Sequence, residues 1–188
     1  IEREEATTFT KPAKQKVTVT GGTLDFESCG LTLIAAVERY GNESPIKPGF
    51  LKNGLYRPGA ICSSWSHDCH NLLVMGTSVP LVIQALNMVI ALQGGIAMVD
   101  GKESLFVPLS YGGIISLKPI EELAREIRTV RHWLRDHGYR AQEEVMNFAV
   151  LTLPVSPEIK ITDKGLVDVS RKELLDWRTY WAQRDGQR

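Results

Sequence analysis

The chain has 188 residues, 43% hydrophobic and 23% charged, the composition of a soluble globular fold with one core. Its 22 basic and 22 acidic residues cancel, which excludes the electrostatic footprint of a protein that works on nucleic acid or on an anionic membrane surface. No apolar run approaches the roughly 20 residues a spanning helix needs, and three cysteines behind a charged, non-signal N-terminus argue for reduced thiols and a cytoplasmic address rather than a disulfide scaffold.

Residues 1–14 are polar, with Lys11-Pro12 near their end, and read as a frayed arm or linker stump. Because the sequence opens on Ile1 rather than Met, it is expected to be part of something longer. A single α+β domain over 15–169, a mixed β-sheet with helices packed against it, is expected to follow. Val17 and Val19 alternate with threonines as a short strand closed by Gly21-Gly22. The run 31–37 is apolar and rich in Leu, Thr, Ile and Val, which favours a strand. Glycine, proline and asparagine between Gly41 and Pro58 predict a long loop. Two strands at 60–65 and 72–75 flank a polar insert. Ser78 is placed to cap a helix with Pro80 in its first turn and Val82, Ala85, Leu86 and Val89 on its apolar stripe, stopped by Gly94-Gly95.

A hairpin follows, 96–99 and 105–107, with Asp100-Gly101 as a two-residue turn signal. Pro119 opens a helix whose Leu123, Ile127, Val130 and Leu134 form one stripe, with Gly138 at its end. Arg125, Arg128, Arg131 and Arg135 read as its solvated face rather than as a phosphate-binding stripe. Residues 143–153 suit a buried helix or strand, and 162–165 a turn between two short strands. Over 170–188, Ser170 and Glu173 are spaced as a capping box for an amphipathic helix carrying Leu174, Trp177 and Trp181.

Reactive groups concentrate in one place. Half of the four histidines and two of the three cysteines fall in Cys62-Ser-Ser-Trp-Ser-His-Asp-Cys-His-Asn71, at the junction of two strands, where loops build sites. Three chemistries are open. His67, Cys69 and His70 are suitable metal donors with Cys62 or Asp68 as a fourth, although the spacing matches no usual zinc pattern. Cys69 or Ser64 beside His67 or His70 has the type and proximity of a nucleophile with its base, without the surrounding G-x-S-x-G or papain-like context. The third is a polar loop that holds a substrate or a neighbouring domain, Asp68 fixing a histidine tautomer while the serines and Asn71 hydrogen-bond. A purely structural loop, satisfying backbone groups at the junction, stands against all three.

The stretch Gly59-Ala-Ile-Cys-Ser-Ser-Trp-Ser-His-Asp-Cys-His-Asn-Leu-Leu-Val-Met-Gly-Thr77 resembles the signature of the C-terminal domain of bacterial and archaeal adenine deaminases. Val37-Glu-Arg-Tyr-Gly-Asn42, Gln93-Gly-Gly-Ile-Ala-Met-Val-Asp-Gly-Lys102 and Leu153-Pro-Val-Ser-Pro-Glu-Ile-Lys-Ile-Thr-Asp-Lys-Gly-Leu-Val-Asp168 resemble further segments of that family in the same order. The resemblance implies a metal-dependent hydrolase of purine salvage that converts adenine to hypoxanthine and ammonia. Its catalytic centre, a pair of manganese or iron ions, would lie on an amidohydrolase barrel in the same polypeptide, with none on this chain. Attack at C6 of a purine base fits a metal-activated hydroxide with a carboxylate moving protons. Carried over by position, Ser63, Ser64, His67, Asp68, His70, Asn71, Glu38 and Arg39 would form a loop facing the substrate or the barrel. Tyr40, Cys69 and Lys118 depart from the family pattern, which leaves the exact substrate open. The alternative is a non-catalytic ligand-binding or assembly module of the same fold, and a homo-oligomer is left open as a partner.

Overall fold

The computed structural model describes residues 1–4 and 7–176. In chain order its elements are β1 (Glu2–Arg3), β2 (Thr10–Lys11), β3 (Thr18–Thr20), β4 (Thr23–Asp25), β5 (Thr32–Val37), β6 (Gly49–Leu51), β7 (Ala60–Ser63) and β8 (Leu72–Gly76). Helix α1 (Val79–Ala91), β9 (Gly95–Val99), β10 (Ser104–Pro108), helices α2 (Ile120–Asp136) and α3 (Glu144–Ala149), a 3-10 turn (Val150–Thr152), β11 (Ile159–Thr162), β12 (Gly165–Asp168) and β13 (Glu173–Leu175) complete it. The α+β class expected from the sequence holds. The central sheet runs β10-β9-β7-β8-β5-β6, and its pairings are antiparallel throughout. Parallel pairing enters at an isolated bridge between Glu2 and Lys52.

Alternation along the strands builds two cores, one on each face of this sheet. Ile34, Ile61, Leu73, Met75, Ile96 and Met98 face α2 and α3, meeting Val130, Leu134 and Phe148. Ala35, Ala60, Cys62, Val74, Ala97 and Val99 face α1, meeting Val82, Ala85 and Val89. The second set is small, and it lets α1 lie close: a Cβ added at Gly76 would sit 2.6 Å from Val82 Cγ2.

Several local expectations are corrected. The amino-terminal segment is docked rather than frayed. Arg3 is buried, donates from Nε and Nη2 to the Asn53 carbonyl at 3.1 and 3.0 Å, and lies 4.1 Å above the Tyr139 ring. Thr10 and Lys160 tie the same segment to β11, through Thr10 Oγ1 to the Ile159 carbonyl and Lys160 Nζ to the Thr8 carbonyl at 2.8 Å. These contacts join residues far apart in sequence, which is why local polarity misreads them. The long loop contains β6, held by pairing with β5. In the β9–β10 hairpin, Val99 pairs with Ser104, leaving a four-residue connection. Asp100 Oδ1 accepts the amides of Lys102 and Glu103, an Asx-type turn that displaces the two-residue geometry. Glu173–Leu175 is a strand paired with β12, so the capping box at Ser170 and Glu173 does not start a helix there. Trp177 and Trp181 lie outside the described residues. No helix among the described residues is long and apolar enough to cross a membrane.

Candidate functional site

The polar decapeptide connects β7 to β8, the two central strands, so it emerges at the middle of one end of the sheet. Its serines serve the backbone. Ser64 Oγ, fully buried, donates to the Gly113 carbonyl at 2.5 Å and accepts the Gly95 amide at 2.8 Å. Ser63 Oγ accepts the Trp65 amide at 3.0 Å, and Ser66 Oγ donates to the Asn71 carbonyl at 2.6 Å. These bonds fold the loop back on itself and tie it to the chain beyond β10. Gly113 sits at φ +73°, where a side chain is strained, and an added Cβ would fall 2.6 Å from Arg39 Nη1 and displace the guanidinium.

Arg39, just after β5, closes the arrangement from the other side. Its Nε donates to the His70 carbonyl and its Nη2 to the Gly112 carbonyl at 2.9 Å, so one guanidinium bridges both loops. Tyr40 OH donates to the Cys69 carbonyl at 2.9 Å. Tyr40, a departure from the family pattern, thus braces the loop. Glu38 does not reach the loop. Its carboxylate accepts the amides of Tyr40 and Asn42 at 2.7 and 2.8 Å. Desolvation acts to raise its pKa, but these hydrogen bonds prevail and hold it below the ordinary glutamate value. Glu38 therefore shapes the turn that presents Arg39.

The remaining side chains carry the site's chemistry. His67 Nδ1 lies 3.4 Å from Asp68 Oδ1, a close approach without the hydrogen bond that would set the imidazole tautomer. The Trp65 ring meets His67 edge-on at 5.0 Å, and His70 lies 5.9 Å from His67, centroid to centroid. The backbone of His67 is held by the Ala149 carbonyl at 3.0 Å and by Thr152 Oγ1 at 2.6 Å, both from the α3 and 3-10 segment. His70 Nδ1 and Asn71 Oδ1 are buried and have no hydrogen-bond partner among the described residues. Burial first, and then His67 and Arg39, lower the His70 pKa against the opposing pull of Asp68. The imidazole is thus neutral at pH 7, able to accept at one nitrogen and donate at the other. Two adjacent residues therefore each carry a buried polar atom with an unmet hydrogen bond, and each such group left unmet costs about 1–3 kcal/mol.

The other two chemistries fare less well. Among the described residues no group of three or more His, Cys, Asp or Glu is arranged to hold a metal ion, so His67, Cys69 and His70 do not make a ligand set. Cys62 is buried under α1, and burial pushes its thiol far above the ordinary range. As for a nucleophile, Ser64 is engaged with Gly113 and Gly95 rather than with an imidazole. Cys69 is exposed, and its Sγ accepts the Asn71 amide at 3.5 Å.

Positional reading of the sequence missed three contributors: Gly112-Gly113, Thr152, and Ala149 through its carbonyl. The paired glycines were a visible signal; the other two are reached only through tertiary packing. Lys118 pairs with Glu122 at 2.9 Å and with Glu126 at the start of α2. The arginine stripe on that helix is not uniformly solvated either. Arg131 and Arg135 both donate to buried Glu144 at the head of α3, the segment that holds His67.

A family model described as the adenine deaminase C-terminal domain matches residues 7–173. An adenine deaminase of Clostridium perfringens is 40% identical over 170 residues, 90% of this chain. Adenine deaminase 2 of Shouchella clausii is 37% identical over 172 residues, 91% of the chain. Adenine deaminase 2 of Oenococcus oeni is 39% identical over 163 residues, 86% of the chain. The chain spans about 30% of the length of these curated relatives. With the match running from the docked amino-terminal segment to the start of β13, the chain belongs to the adenine deaminase C-terminal domain family.

Proposed function

We propose that this domain works as the C-terminal part of an adenine deaminase, a hydrolase releasing ammonia from adenine, and that the 63–71 loop faces the purine base or the catalytic domain. The observation that carries the loop assignment is the pair of buried, partnerless polar atoms, His70 Nδ1 and Asn71 Oδ1, on a loop whose serine hydroxyls are all engaged with backbone. A partner offering both N–H donors and acceptors, such as an aminopurine or the backbone of an adjoining domain, would satisfy them. His67, held through its backbone by Ala149 and Thr152, would add a further hydrogen-bonding nitrogen at the same rim.

The described residues of this chain do not fit a binuclear metal centre. In this reading manganese or iron belongs to an amidohydrolase barrel elsewhere in the polypeptide, where it would activate water. The part of this chain is to position and to exclude solvent. Arg39 holds the two loops in register, and Thr152 with Ala149 holds His67. A cytoplasmic location belongs to the same proposal, supported by three unpaired thiols.

The test is ammonia release from adenine by the full-length polypeptide supplied with manganese or iron. Turnover is expected, and His67→Ala or Asp68→Ala should reduce it with the fold retained. A metal-replete enzyme inactive on adenine and related aminopurines would sink the enzyme reading and leave the assembly module. Unchanged turnover in both variants would make the loop structural.

A further inference from the structure

The amino-terminal strap, residues 1–4 and 7–11, is held by polar point contacts rather than by a core. Of its large apolar side chains, Ile1 packs only partly against the core and Phe9 is 49% exposed. Its anchors come from residues far along the chain. Arg3 and Lys160, both buried, spend their charge on the Asn53 and Thr8 carbonyls. Asn53 returns a bond from Nδ2 to the Arg3 carbonyl at 3.2 Å. Hydrogen bonds are lost over a few tenths of an ångström, and a segment with few apolar contacts can open while the core stays closed.

Asn147, buried on α3, is where the strap meets that helix. Its Nδ2 donates to the Thr7 carbonyl at 2.6 Å, and its Oδ1 accepts Tyr139 OH at 2.7 Å and Arg3 Nη1 at 3.5 Å. One carboxamide thus binds the strap at both Arg3 on β1 and Thr7 ahead of β2. Two residues further along, the Ala149 carbonyl accepts the His67 amide, and Thr152 Oγ1 donates to the His67 carbonyl. Both backbone groups of His67 are therefore held from the 147–152 segment, whereas Arg39 and Tyr40 hold the far end of the loop at His70 and Cys69. From the strap to His67 the path is one side chain and a short stretch of helical backbone.

We propose that Asn147 is a positioning residue of the site: by tying the strap to α3, it makes the order of His67 depend on whether the strap is docked. This rests on the reading of 63–71 as the working loop of a C-terminal domain. In that reading the catalytic domain precedes the strap in sequence, so its placement would reach His67 through Thr7, Asn147 and Ala149. The relay needs no contact between Asn147 and substrate. If Asn147 merely filled the buried side of α3, the loop would not respond to a change made in the strap.

The experiment reads amide hydrogen exchange by mass spectrometry on the full-length polypeptide, comparing the parent with Arg3→Met, Asn147→Ala and the two combined. Arg3→Met loosens the strap from its own end, and Asn147→Ala removes the relay. Exchange across 64–71 is scored against β8, residues 72–76, so that a general loss of stability cancels. Each single variant is expected to speed the loop relative to β8 by about tenfold, the scale of one lost buried hydrogen bond. The combined variant is expected to be no faster than Asn147→Ala alone, because the path is already cut. A loop unmoved by either single variant, or two effects that multiply in the combined one, would overturn the proposal. Should the Asn147 variants fail to fold, Arg3→Met decides alone: a faster loop supports the relay and an unchanged loop overturns it. Exchange is read without substrate, so an enzyme inactive on adenine would end the deaminase reading and leave this result standing.

Discussion

Glu144→Gln tests how the site loop is supported. Glu144 is buried at the head of α3 and accepts Arg131 Nε at 2.9 Å and Arg135 Nε on its second oxygen, locking α2 to the segment whose Ala149 and Thr152 hold His67. The amide keeps the shape, loses the charge and turns an NH2 toward a guanidinium. Breaking a fully buried ion pair costs about 3–5 kcal/mol. Here the arginine side chains are 30% and 43% exposed and rehydrate, so the loss should be about 2 kcal/mol. Burial acts to raise the Glu144 pKa, but the hydrogen bonds from Arg135, its own amide and Arg131 prevail, and the net shift is downward from 4.5. A carboxylate depressed on folding contributes stability that is complete above its unfolded pKa and is lost as pH falls through the folded one. Urea unfolding followed by circular dichroism should therefore show the full difference at pH 7 and a smaller one below pH 4.5. A difference under about 0.5 kcal/mol at pH 7, the size of an ordinary surface substitution, or one unchanged in acid, would refute the reasoning.

Arg39→Ala removes the bridge between the His70 and Gly112 carbonyls; amide hydrogen exchange across 64–71 and 110–114 should accelerate while β7 and β8 stay protected. Gly94→Ala places a Cβ 2.4 Å from the Gly113 Cα at a φ of +118°, where the contact is backbone and cannot swing aside, so the loss should be at least about 2 kcal/mol and visible as a lower Tm. Lys160 is buried with its Nζ on the Thr8 carbonyl, and burial lowers its pKa from 10.5 to about 8. Between those values the unfolded chain binds more protons than the folded one, so stability should rise with pH from 8 to 10.5. Lys160→Met should abolish that rise in unfolding titrations, and an unchanged slope would show that the lysine is not its source.

The sequence alone determined the elements whose cause is local. The apolar runs at 31–37, 60–65 and 72–75 became strands, the second ending at Ser63, and Pro80 and Pro119 marked helix starts, because periodicity and proline geometry act within a few residues. It also picked out the reactive decapeptide, since ten residues holding half the histidines are visible without a fold. Which of those residues remain available was decided by tertiary structure. Ser63, Ser64 and Ser66 looked like ligand-binding hydroxyls and are engaged with backbone, while His70 and Asn71 keep unmet polar atoms. Arg131 and Arg135 looked solvated until Glu144 arrived from the next helix, and the amino-terminal arm looked loose until Asn53, Tyr139 and β11 met it. Hydrogen-bond partners brought together across many tens of residues leave no periodic trace in either segment, so only the folded chain shows which polar groups are satisfied and which are left unmet.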